Sequence, residues 1–526
     1  MTSVQLISWI AAFVLVTVTV TGLSRKVGWS APISLVVVGA IVSFIPGLPP
    51  IHLEPDLVLY GLLPPLLFAA AIRTSLVDVR ARRESILLLS VGLVLFTVVV
   101  VGFFTWLIVP AITLATGFAF AAVVAPTDAV AVTAIAGRLK LPRRLVTILE
   151  GESLFNDAAA LVALSAAITA ITGVLNPWRV SADFALAIVV GVAFGFLVGL
   201  GLSRIRRMLK APVLDTSLSL VTPFVAFIPA QLLHGSGVLA VVVAGLVVGQ
   251  QAPVVQSAEA RIAESLNWRT IRFLLENSVF LFIGLNLSGI LKGAVNSGLD
   301  AWEIVVICVA MILFLLVERF VWLVITTLIF RYGPQRLRNR GWSWRNSFAV
   351  GFAGIRGVVT LAAVFLLPEE TPQRAFLQFL AFVVVVGTLL QGLALPMLAR
   401  ALKLPPPNGA QELVEVRNLM GEARSAGVTK LDEEVAETDN AAVVERLRAD
   451  AAIFNTDVQE DLVEGVEESH VVFNRLRLSM ILAERQAVLA ARKEGRYQEP
   501  AIRAVLASID AEEIALRVMG RKIEDD

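Results

Sequence analysis

The residues able to do chemistry in this chain lie where an apolar sequence should exclude them. The run "TILEGESLFNDAAALVALSAAITAI", residues 147–171, reads as one apolar helix, yet it carries Glu150, Glu152, Asn156 and Asp157. Helical spacing puts Ser153 and Asp157 on one face and Glu152 and Asn156 on another. A second cluster is "VVAPTDAVAVTAI", residues 123–135, where Pro126 precedes Thr127 and Asp128. Proline removes a backbone donor and clashes with the preceding turn, which strands carbonyls beside a hydroxyl and a carboxylate. Such oxygens are the ligands a hard cation takes. In the third, "FAVGFAGIRGVVTLAAV", residues 348–364, Gly351, Gly354 and Gly357 lower helix propensity around Arg356. The other deep arginine is Arg319, beside Glu318 in "FLLVERFVWLVI". A guanidinium keeps its proton and needs a partner, so both arginines are expected to pair with buried acids.

Elements that hold these groups must span a bilayer. Of 526 residues, 57% are hydrophobic and 17% charged, whereas a soluble domain has about a quarter charged. Apolar segments fall near 4–23, 31–46, 57–72, 85–109, 111–136, 145–172, 182–203, 214–233, 235–250, 270–290, 301–330, 346–367 and 374–399. That predicts thirteen spans, with the least marked divisions at Pro110 and His234–Gly237. The first span has no basic n-region or cleavage site and reads as retained. Loops after odd-numbered spans carry 21 Lys and Arg, among them Arg25, Arg73, Arg206 and Arg269; those after even-numbered spans carry only Arg179, Lys292 and Arg374. The positive-inside rule then places the N-terminus outside and the C-terminus in the cytoplasm. Asp157 follows Arg144 by 13 residues, roughly 20 Å at about 1.5 Å per residue, which is near the bilayer midplane. A carboxylate that deep is a functional candidate.

Charge divides the chain. Residues 411–526 hold 25 acidic and 15 basic side chains, and residues 1–410 hold 18 acidic and 29 basic. The boundary is "KLPPPNG", so 1–402 reads as a membrane domain, 403–410 as a proline-rich linker and 411–526 as a cytoplasmic tail. Apolar periodicity predicts amphipathic helices at 443–454, 470–492 and 501–519; a regulatory role and an unspecified partner stand open beside a tethered hairpin with none. No basic stripe with interleaved aromatics points to nucleic acid, and no phosphate loop, metal cluster or enzyme motif is visible, so no cofactor is expected. The single Cys308 excludes an intramolecular disulfide. The break at Thr127–Asp128 and the one around Arg356 lie seven spans apart, a pattern of inverted repeats with a site between them.

Together "PTDAVAV" at 126–132, "GESLFNDA" at 151–158, "ER" at 318–319 and "GIRG" at 354–357 resemble the sodium/proton exchangers of the cation:proton antiporter superfamily. The likeness is greatest to the electroneutral, NhaP-like bacterial branch. It implies an all-α membrane protein of the inner or plasma membrane, about thirteen spans with two crossed, unwound helices, built from core and dimerisation subdomains and working as a homodimer. It also implies an ion site on Asp157, Asp128, Ser153, Glu152 and Thr127, with Na+ held at Asp157, Asp128, Ser153 and Thr127. Glu152 is expected to pair with Arg319. Asn156, where electrogenic relatives carry a second aspartate, implies one-for-one exchange. Ala69 departs from the pattern, since many members have an acid there. Na+, with Li+ beside it, and H+ are the implied substrates. K+/H+ exchange on the same scaffold, a sodium-coupled solute carrier and an ion channel are the alternatives.

Overall fold

In hydrocarbon every peptide group must find its partner inside the protein, which favours helices, and all regular structure among the described residues is helical. The computed structural model describes residues 3–46, 56–74, 76–128, 143–172, 177–209, 211–338 and 342–402, with isolated positions between 426 and 516. The chain forms two compact units, Met1–Pro405 and Pro406–Asp526. The expected linker, most of the expected tail helices, and residues 129–142 lie outside the described residues.

Helices α1 (Ser3–Val27) and α2 (Ala31–Ser43) lead to α3 (Leu63–Ala71), which continues a π-helical turn at Leu57–Leu62. Helix α4 (Leu93–Ile108) and α5 (Leu114–Val124) meet at a turn where Ala111 has a left-handed φ of 61°. Next come α6 (Arg143–Thr172), α7 (Pro177–Met208), α8 (Pro212–Leu232) and α9 (Gly237–Val255). The α8–α9 turn is equally tight, with His234 at φ 57°. Both weakly marked divisions are thus real turns of the chain. Helices α10 (Ala258–Val295) and α11 (Ala301–Tyr332) are the long pair that follows. The 348–364 segment divides into α12 (Trp344–Phe352) and α13 (Val358–Ala363), ahead of α14 (Arg374–Gly392) and α15 (Leu395–Ala401). Among the described residues eight helices are long and apolar enough to cross a membrane, and Ala31–Ser43, Leu57–Ala71 and Leu114–Val124 are shorter apolar ones.

Helix α10 differs most from the expected span at 270–290. It begins twelve residues earlier because the Ser257 side chain accepts from the Ala260 amide and caps it. Its first turns expose Glu259, Ser265, Asn267 and Arg269 together with Ile262 and Leu266, while Ala260, Glu264 and Trp268 recur every fourth residue and are buried. Part of α10 packs on α2. Gly39 and Gly284 let the two backbones approach: a Cβ on Gly284 would overlap the Val36 carbonyl.

The extension of α7 to Met208 relocates one of the loop arginines. Arg206 is 1% exposed and pairs with Asp215 (2.5 Å) on α8 and Glu264 (2.7 Å) on α10. Gln256 donates to both carboxylates, Ser219 donates to Glu264, and Trp268 donates to Ser219 at 2.9 Å. Arg206 therefore pins three helix ends and is not a solvated loop charge. Removing one partner of such a cluster strands buried charge. Arg206→Leu is expected to lose about 3–5 kcal/mol, read as a lower thermal midpoint in detergent.

Candidate functional site

The site grows from two places where a helix stops inside the protein. After α5, residues 125–128 are not helical. In a continued helix the Val124 carbonyl would accept from the Asp128 amide. Instead Asp128 N donates to Ile355 O at 2.7 Å, and Arg356 Nε donates to Val124 O at 3.0 Å. Residues 353–357, between α12 and α13, are the matching interruption. There Arg356 Nη1 donates to Gly354 O at 2.8 Å, and its backbone amide donates to Thr388 Oγ1 on α14 at 3.1 Å. The two broken segments thus complete each other's hydrogen bonding. Arg356 was expected to pair with an acid; its guanidinium bonds carbonyls instead, because the breaks expose carbonyls, and Glu318 and Glu152 remain within electrostatic reach.

Helix α6 presents two faces to its surroundings. Glu152 and Asn156 are fully buried. Glu152 Oε1 accepts from Thr127 Oγ1 at 2.9 Å and from Arg319 Nη2 at 2.8 Å. Asn156 Nδ2 donates to Thr127 Oγ1 at 2.9 Å and to its carbonyl at 3.3 Å. Arg319 also donates to the Val350 carbonyl at 3.0 Å, which ties α11 to α12. Its neighbour Glu318 turns elsewhere and accepts from Thr97 on α4 at 2.8 Å.

Ser153 and Asp157 lie on the other face, half-buried. They line a cavity of about 750 Å³ with Thr127 and Asp128. Glu152, Asn156, Arg319 and Arg356 are absent from its wall. Sequence-expected site residues therefore separate into a buried brace and a cavity-facing set. Exposed Arg25, Arg73, Arg269 and Glu150 line the cavity's outer part. Arg272 and Glu276 of α10, also on the cavity wall, form an ion pair at 2.6 Å. Both lie within electrostatic reach of Asp157. Sequence reasoning passed over this pair, although an Arg and a Glu four apart in an apolar span were a legible signal. Ala69 is fully buried and lies outside the cavity wall.

The family model for the transmembrane sodium/hydrogen exchanger matches residues 12–401. The chain belongs to that family. It is a multi-pass membrane protein, and a secondary active Na+/H+ antiporter in place of an enzyme. An uncharacterised Na+/H+ exchanger of Mycobacterium bovis is 30% identical to this exchanger, over 96% of this chain and 95% of that one. A sodium, potassium, lithium and rubidium/H+ antiporter of Bacillus pumilus is 32% identical over 70% of this chain and 57% of that one. The sodium proton antiporter of Methanocaldococcus jannaschii shares the fold, with a TM-score of 0.60 at 18% identity, over 76% of this chain and 99% of that one.

Gly357, the first residue before α13, faces Asp128 so closely that an added Cβ would overlap its carboxylate. Gly357→Ala must displace Asp128 or open the crossing. The expected outcome is at least about a tenfold loss of exchange in vesicles, the scale on which small displacements of a site act, with helical content by circular dichroism retained.

Proposed function

We propose that this exchanger swaps one monovalent cation, Na+ or Li+, for one H+ by alternating access, with Asp157 as the carboxylate where the two compete. One observation carries this reading: Asp157 and Ser153 face the cavity beside Asp128 and Thr127, while Glu152 and Asn156 of the same helix turn into the protein. Carboxylate, hydroxyl and carbonyl oxygens suit a hard cation. A proton or a cation on Asp157 neutralises it, so a loaded site can cross an apolar barrier that an empty anionic one cannot. In this reading Asp157, Asp128, Ser153 and Thr127 hold the ion. Glu152, already bonded to Arg319 and Thr127, braces them from behind.

Within the same proposal the chain has thirteen spans in inverted repeats, with the 111–136 and 346–367 segments unwound and crossing. The exchanged hydrogen bonds between Asp128, Ile355, Arg356 and Val124 support that arrangement. Residues 1–402 form core and dimerisation subdomains of a homodimer in the cell membrane. The N-terminus is outside, the tail 411–526 is cytoplasmic, and the arginine-lined end of the cavity faces the cytoplasm. K+/H+ exchange is a second reading, favoured by the breadth of cations in the name of the Bacillus pumilus relative.

Asp157→Asn is expected to abolish Na+- and Li+-driven proton movement in proteoliposomes with a pH-sensitive dye; retained movement would remove Asp157 from this role. Asn156 carries no charge, so Asp157 is the one ionisable member of the Asn156–Asp157 pair. Exchange is therefore expected to run at the same rate with or without an imposed membrane potential, and a rate that follows the potential would refute one-for-one stoichiometry. Separate additions of Na+, Li+ and K+ to the same vesicles decide the cation.

A further inference from the structure

Two carboxylates, Asp128 and Asp157, face one cavity. Buried anions need nearby positive charge. Two of the buried arginines are committed elsewhere, Arg319 to Glu152 and the Val350 carbonyl, Arg356 to the Val124 and Gly354 carbonyls. Arg272 faces the cavity itself, from α10, with its side chain 23% exposed. Its ion-pair partner, Glu276, lies one helical turn further along and is 16% exposed. That pairing stays within one helix, so it orients Arg272 without tying α10 to α6.

We propose that Arg272 is the counter-charge of the vacated ion site, sharing itself between Glu276 on its own helix and the Asp128 and Asp157 carboxylates across the cavity. The inference rests on the reading of Asp157 as the ion carrier and extends it to a pair on another helix. Among the described residues, the other charged groups that share the cavity with Arg272 and Glu276 are Glu150 and Asp157 from α6, Asp128 after α5, Arg25 on α1, Arg73 after α3 and Arg269 on α10. When a cation or proton leaves, Arg272 leans toward the carboxylates. When one arrives, Glu276 takes Arg272 back and spares the incoming cation its repulsion. Arg272 and Glu276 are thus positioning residues that act on cation affinity through Asp157 and Asp128.

This arrangement assigns opposite signs to the two partners. Arg272→Gln removes a competitor for the carboxylates and tightens cation binding. Glu276→Gln releases Arg272 toward the carboxylates and weakens it. The full-length exchanger in proteoliposomes, titrated with Na+ at alkaline pH where proton competition is weak, reads both. Half-saturating Na+ is expected to fall about 3- to 10-fold in Arg272→Gln and to rise by a similar factor in Glu276→Gln, the scale of one partly screened charge. The double variant stays near the lowered value of Arg272→Gln, since no guanidinium remains to be released, and Arg272→Lys keeps the unmodified one. A brace with only a structural role lowers maximal rate or thermal stability and leaves half-saturation unmoved, or moves it the same way in both variants; either result overturns the proposal. Should Arg272→Gln fail to fold, Glu276→Gln decides alone, and an unchanged half-saturation there is enough to reject it. Failure of the Asp157 reading is seen separately, as exchange retained in Asp157→Asn.

Discussion

An unpaired peptide group away from water is costly, and a chain that interrupts helices inside a membrane protein must find partners for each one. The remainder of this site depends on how that demand is met. Asp128 gives its amide to Ile355, and Arg356 gives its side chain to Val124. Neither interruption is satisfied without the other, so the two segments fold as a unit although more than 220 residues separate them in sequence. The carboxylate of Asp128 is placed by this backbone bond, and the absence of a side chain on Gly357 leaves room for it. Arg356 does with its guanidinium what a helix would have done with amides.

Behind the crossing, Glu152 and Asp157 show how one helix gives two acids different duties. Five residues apart, they point in different directions. Glu152 meets Thr127 and Arg319, which both bond its Oε1 and hold it in a buried ion pair. Asp157 meets a cavity. A carboxylate already bound to a guanidinium has little to offer a cation, whereas one facing space can exchange its occupant. Thr127 joins the two regions, with its hydroxyl donated to Glu152 and its carbonyl beside Asn156. Any displacement of Thr127 is therefore felt at Arg319 and, through Val350, at α12.

Much of this was legible in the residues. The i,i+4 rule separated Ser153 and Asp157 from Glu152 and Asn156, and the faces differ in burial as that rule requires. Pro126 and the glycines around Arg356 marked the places where helix stops. Three things were not legible. The partners of Arg356 are backbone carbonyls, which no side-chain pattern announces. Arg206 looked like a loop charge because its partners, Asp215 and Glu264, are brought to it by helix packing between distant segments. The spacing of Arg272 and Glu276 is visible in the residues, but their place is not, since only the tertiary structure puts α10 on the same cavity as Asp157. Periodicity reports which face of a helix is special, and it is silent about what that face meets.

The outer part of the cavity has a kinetic consequence. Among the described residues, Arg25, Arg73 and Arg269 stand exposed there against Glu150 alone. For a cation taking the proposed route, such an entrance is repulsive, the reverse of the focusing that many charged clefts provide. Arrival of the cation is then slower than unassisted diffusion would allow, and mobile ions in solution relieve the barrier by screening it. The exchanger's capture rate from its arginine-lined side should rise with ionic strength, so that the salt content of the compartment it faces sets not only how much substrate is present but how easily the doorway admits it.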